Sequence, residues 1–212
     1  MTTVDPSAEA VLKHMAAHRS VRSFTEAAVE DGIVERSVAA AQQAATSSWI
    51  QGYHLLEVGR GERRDEIARL AGGQAQVQSA PRFFIVCGDT RRHRAAARRH
   101  GQPHVECTET FLLCTIDASL FAQNLCLAFE AHGLGTCYIG GIRNDLPALD
   151  ALLEVPPGTF PLFGLAVGWP ASDPGQRPRL APGDVWTHEA FPTDEDVEQL
   201  SLIHISEPTR PY

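Results

Sequence analysis

The sequence predicts an α+β domain, a sheet sandwiched between helices, on three observations. Helical and strand patterns interleave along the chain with no internal repeat and no obvious linker. RFFIVCGD (82–89) is the densest run of β-formers. Residues 106–132 carry FLLCTIDASLFAQNLCLAF, apolar nearly all round, as a central buried helix should be.

From the N-terminus, residues 8–18 read as a helix with Ser7 as N-cap. RSVRSF (19–24) breaks that period. Residues 31–45 form a second helix, apolar at Ile33, Val34, Val38, Ala41 and Ala45. HLLEVGR (54–60) is a strand ending in a glycine turn, and residues 62–71 are a short helix stopped by Gly72 and Gly73. The 82–89 strand follows Pro81, and residues 91–100 form an exposed helix. Gly133 and Gly135 end the long helix, and TCYIGG (136–141) is a strand running into a glycine turn. Residues 145–153 form another helix and PLFGLAVGWP (161–170) a second buried strand. Beyond Pro170 the chain is rich in Pro, Gly and Asp, with little core-forming pattern.

A chain of 212 residues holds one domain with a sizeable core, or two small ones. The formal net charge of -8 argues against a general nucleic-acid binder. No apolar leader opens the chain, and no run of about 18 uninterrupted apolar residues suggests a membrane span. Cys87, Cys107, Cys114, Cys126 and Cys137 include no C-x-x-C pair, which argues against zinc. Their odd number and apolar neighbours suit reduced, buried thiols in a cytoplasm, with reactive thiols as the other reading. The last twelve residues, SLIHISEPTRPY, match neither the composition nor the pattern before them. They resemble translated sequencing adapter; a genuine polar tail is the alternative.

Several chemistries fall away on spacing. GLGTCYIGGIR (133–143) has Tyr138 where a dinucleotide loop needs glycine, and no Gly-Lys-Ser/Thr follows. G-x-S-x-G and H-E-x-x-H are absent. His14 and His18 share a helix face, but no acidic third ligand is near in sequence, so no metal is expected. The basic run RRHRAAARRHGQPH (91–104) is either a solvated face or an attractor of anionic ligands. What remains is a scatter of cationic and hydroxyl groups beside backbone-rich turns: His18-Arg19-Ser20 with Arg22, Thr46-Ser47-Ser48, Gln74, Tyr138 to Gly141, and Arg177 with Arg179. A phosphate needs such forks and donors, and a flavin ring needs flat access, backbone donors and nearby positive charge.

The order HRSVRSFT, TSSWIQ, GGQ, DASLFAQNLCLAFEAHGLG, YIGGIRN, PLFGLAVGWP, RPRL resembles the nitroreductase superfamily, most of all its NADPH-dependent oxygen-insensitive nitroreductase and flavin reductase branch. The likeness covers roughly residues 8–200. It implies a nitroreductase-like fold with an antiparallel-rich central sheet and a single FMN-binding domain over 1–200, with the adapter-like residues 201–212 expected to be an artefactual tail. It also implies a homodimer with one FMN in each of two interfacial clefts, shared between subunits. On this resemblance His18, Arg19, Ser20 and Arg22 hold FMN, the arginines at its phosphate. Thr46 supplies a hydroxyl, Gln74 faces the ring, and Tyr138, Ile139, Gly140 and Gly141 give backbone donors and packing there. Arg177 and Arg179 complete the phosphate site. Relatives continue past the point where SLIHISEPTRPY begins, into a segment tied to NADPH recognition and dimer embrace. NADPH or NADH is the donor, and a nitroaromatic, quinone or flavin the small-molecule acceptor. Two-electron ping-pong transfer is carried by flavin N5, with no protein acid or base, in the cytoplasm and without nucleic acid or membrane. A flavin reductase and a non-catalytic flavin binder are the rival readings.

Overall fold

The computed structural model describes residues 5–198, so the expectation for 201–212 lies outside the described residues. The chain divides into two compact units, Met1–Gly175 and Gln176–Tyr212. The first unit contains helices α1 (Pro6–Ala16), α2 (Asp31–Ala41), α3 (Glu62–Leu70), α4 (Ala75–Ser79), α5 (Arg91–Arg99), α6 (Thr108–Ala131) and α7 (Leu146–Leu153). Its strands are β1 (Tyr53–Glu57), β2 (Arg82–Asp89), β3 (Gly135–Ile139) and β4 (Thr159–Gly168). The second unit carries the short helix α8 (Pro182–Val185), and residues 194–198 are helical.

The four strands lie in the order β1-β2-β4-β3, every pair antiparallel. Alternation along β2 explains its unbroken apolar run. Phe83, Ile85 and Cys87 face a core with Ile67 and Val77, whereas Phe84 and Val86 face one with Phe121, Leu125 and Phe129 of α6. Helices thus cover both faces, and each large apolar side chain removed from water contributes about 1.5–3 kcal/mol.

Several expectations change. The N-cap of α1 is Asp5, not Ser7: its carboxylate accepts the Ser7 N–H at 3.0 Å, with Pro6 in the first turn. The long helix is buried on one side only. Phe111, Leu112, Ile116 and Leu120 are 43–52% exposed, as are Val11, Leu12 and Met15 of α1 at 51–58%. By length and composition alone α6 is apolar enough to cross a bilayer, a test that a core helix also meets. Its fully buried Asp117 and its packing against the sheet make it a core helix here.

Two buried polar side chains position the loops. Asp117, in mid-α6, accepts Ser47 N–H at 2.9 Å and Gly52 N–H at 3.0 Å. It clamps both ends of a turn in which Ser48, Trp49 and Gln51 all have φ between 46° and 59°, a region costly for non-glycine residues. Arg64, 1% exposed, donates to the carbonyls of Val77 and Ala80 and lies over the Phe83 ring at 5.4 Å. Burial lowers its pKa to about 10. Arg64 thereby fixes α4, whose N-cap is Gln74.

Candidate functional site

Strand β3 is an edge strand, and the segment after α1 lies against its open side. Ser20 forms a parallel bridge with Thr136, and Val21 N–H donates to the Thr136 carbonyl at 2.8 Å. The approach requires Gly135, because a Cβ there would sit 2.6 Å from Val21 carbons. This pairing lays His18–Arg22 along β3 in parallel. The strand ends at Ile139, and Gly140 and Gly141 open the 3-10 helix Gly140–Asp145 that follows it.

At that end Gly141 meets Gln74. An added Cβ would lie 2.6 Å from Gln74 Nε2 and 2.5 Å from the Ala71 carbonyl oxygen. Gln74 Nε2 donates to that carbonyl at 3.0 Å, and its Oε1 accepts from Gln76 Nε2 at 2.8 Å. The structure therefore sets Ser20 against Thr136 of β3, on the segment that carries His18, Arg19 and Arg22, and sets Gly141 against Gln74 just past Gly140 and the strand residues Tyr138 and Ile139.

Their side chains play unequal parts. Ile139 is fully buried among Ile67, Ile142 and Leu149, so it offers this edge its backbone only. Tyr138 turns towards the α6 side, edge-to-face with Phe163 at 5.2 Å; burial raises its hydroxyl pKa, with Cys126 and Glu130 adding to the effect. Arg22 is exposed, and its charge opposes the burial that raises the Cys137 pKa, which places the guanidinium near the strand. Arg19 Nε donates to Asp173 Oδ1 at 2.7 Å and Nη1 to the Ala17 carbonyl at 3.0 Å. With 37% and 67% of the two side chains exposed, that pair contributes about 0–1 kcal/mol and yields readily to a stronger anion.

His18 is anchored more firmly. Its Nδ1 is 2.7 Å from Glu130 Oε1, which also accepts from Thr136 Oγ1 at 3.1 Å and Cys126 Sγ at 3.5 Å. The ligand-type atoms of His18, Cys126 and Glu130 lie within 4.8 Å of one another. The short nitrogen–oxygen contact and the shared oxygen describe a hydrogen-bond network.

Thr46 is elsewhere. It precedes β1, at the opposite sheet edge, three strand spacings or about 14 Å from β3. There a hollow of about 550 Å³ is lined by Gln42, Gln43, Ala44, Thr46, Trp49 and Gln51, with Trp49 84% exposed. Arg177 and Arg179 belong to the second unit, where Arg179 Nη1 donates to the carbonyls of Arg177 and Pro178.

Sequence reasoning missed Glu130 and Asp117 as positioning groups. A lone acid inside an apolar helix was the available signal for Asp117, since such a group is buried only when partnered.

The Nitroreductase family profile matches residues 15–169. The chain belongs to the nitroreductase family. It is 42% identical over 183 residues to the FMN reductase (NADPH) of Bacillus subtilis, covering 84% of this chain and 73% of that protein. It is 37% identical over 196 residues to the oxygen-insensitive NADPH nitroreductase of Salmonella typhimurium, covering 89% and 80%. Among solved structures, B. megaterium NfrA1 superposes with a TM-score of 0.87 at 36% identity, over 92% of this chain and 80% of that one. An antiparallel sheet between helices is thus the architecture of a nitroreductase-family member, as the sequence resemblance implied.

Proposed function

We propose that this protein is an FMN-dependent NAD(P)H oxidoreductase that reduces nitroaromatics or quinones by two-electron ping-pong transfer. One observation carries the reading: the cationic and hydroxyl segment His18–Arg22 lies along β3, and the glycines Gly140-Gly141 follow at the strand's end. The donor set suits a phosphate monoester at one end, with Arg19, Arg22 and the Ser20 hydroxyl. At the other end, the missing Cβ of Gly141 lets its backbone pack against Ala71 and Gln74, which holds the Gln74 amide beside the backbone of residues 140–141. FMN fits this arrangement. NADPH is the donor named for both relatives quoted above.

When bound, the flavin supplies the hydride-accepting and hydride-donating atom. Arg19 and Arg22 neutralise the phosphate and fix its position. Gln74 and the backbone of residues 138–141 orient the ring, so the protein contributes binding, orientation and charge. No side chain here is required to move a proton.

A homodimer completes the proposal. The exposed apolar residues of α6 and α1 form faces that a second copy would cover. Thr46, at the far edge of its own sheet, would then serve the partner's cleft. Five free cysteines suit a cytoplasmic setting.

Flavin reduction is the second reading, favoured by the name of the B. subtilis relative. Steady-state NADPH oxidation with a nitroaromatic, a quinone or free FMN as acceptor separates the two. Turnover with free FMN alone would replace the first reading by the second, and turnover with none of them would contradict both.

A further inference from the structure

We infer that Glu130 is a positioning residue that fixes His18 as a directed contact for the flavin phosphate; this rests on the FMN reading above. An ionised carboxylate only accepts hydrogen bonds, so the 2.7 Å contact requires the hydrogen on His18 Nδ1. Nε2 is then the nitrogen left for a ligand, and among the described residues it has no partner. A ring held through one nitrogen, on the same short segment as Arg19 and Arg22, is built to meet an anion when Nε2 also carries a hydrogen.

The carboxylate is itself held from behind. Thr136 and Cys126, both 0% exposed, stand behind it: Thr136 Oγ1 donates to the same oxygen, and Cys126 Sγ lies 2.8 Å from that hydroxyl and 3.5 Å from the carboxylate. Thr136 belongs to β3 and is the bridge partner of Ser20, whereas Cys126 lies one turn before Glu130 on α6. The network therefore ties the His18 ring to the strand and helix that position Ser20 and Arg22. Loss of Glu130 frees the ring to rotate and to exchange its tautomer, without removing any group that would touch the ligand.

The discriminating experiment compares FMN with riboflavin, which lacks the phosphate. Dissociation constants are measured for wild type, Glu130→Gln, His18→Gln and the double variant. Wild type should prefer FMN strongly. Each single variant should reduce that preference about tenfold, the size of one charge-assisted contact, while riboflavin affinity stays within about twofold. Because Glu130 acts through His18, the double variant should be no worse than His18→Gln alone. Nitrogen-15 histidine spectra should show a fixed Nδ1–H ring in wild type and mixed tautomers in Glu130→Gln. Additive losses, equal losses for riboflavin and FMN, or an unchanged preference in Glu130→Gln would each overturn the positioning role. Wild type that binds both flavins equally would overturn the phosphate reading itself. If Glu130→Gln does not fold, His18→Gln with the wild-type tautomer spectrum decides, and loss of FMN preference without a fixed ring contradicts the inference.

Discussion

Gly141 is packed so closely against Gln74 that a single methyl group would reach within 2.6 Å of its side-chain nitrogen. The Ala71 carbonyl oxygen to which that nitrogen donates, at 2.5 Å from the same methyl, is backbone and cannot yield cheaply. Gly141→Ala should therefore displace Gln74 and shift the backbone of residues 140–141. The expected result is roughly tenfold weaker FMN binding, the scale of one lost polar contact. Titration of FMN-free protein by flavin fluorescence checks this, and unchanged affinity would remove Gln74 from the site.

Asp117 governs the opposite edge. Asp117→Ala leaves the Ser47 and Gly52 amides without their carboxylate and lets the left-handed residues Ser48, Trp49 and Gln51 relax. Unpaired buried groups cost about 1–3 kcal/mol each, so stability should fall by roughly 2–5 kcal/mol. Urea unfolding of FMN-free protein measures it. In the shared-cleft arrangement the same variant should also lower activity, because Thr46 follows the loop.

Leu120 separates folding from association. At 43% exposure in the single chain, Leu120→Asp places its charge on the surface of α6 rather than in the core. The fold should survive, with a normal circular dichroism spectrum, while the dimer dissociates to monomer at micromolar concentration. A dimer by light scattering would show that α6 is not the interface, and an unfolded chain would show that this face belongs to the core.

The thiols should react in a defined order. Cys107 is exposed, and the Thr110 hydroxyl and nearby backbone N–H groups lower its pKa. Burial pushes Cys87 and Cys126 up to about 12. Because the thiolate is the nucleophile, alkylation near neutral pH should label Cys107 first, with Cys87 and Cys126 silent until the chain unfolds. Mass mapping of iodoacetamide adducts between pH 6 and 9 tests the order; early labelling of Cys126 would contradict its burial.

The elements that sequence located best are those whose pattern is local. β2 spans 82–89 as expected because Pro81 bounds it and both faces are apolar. α6 begins at Thr108 and ends at Ala131, close to 106–132. Its apolar circumference pointed to all-round burial, but periodicity cannot distinguish a face covered by the core from one awaiting another chain. α2 stops at Ala41, short of residue 45, because the following residues turn to bring Ser47 to Asp117. That constraint comes from 70 residues away. The glycine turn and the cationic segment were legible as runs, whereas Glu130 acquires its role only when folding carries His18 across 112 residues to meet it.

The absorption spectrum of the purified protein, before and after NADPH, tests the central claim most directly. Bound FMN gives a yellow protein with the visible bands of an oxidised flavin, and released flavin should equal the protein in a one-to-one ratio. Anaerobic NADPH should bleach those bands within a single turnover, and an added nitroaromatic should restore them. A flavin that binds and does not bleach would make the protein a binder and not a reductase. A colourless protein that takes up no added FMN would contradict the account altogether.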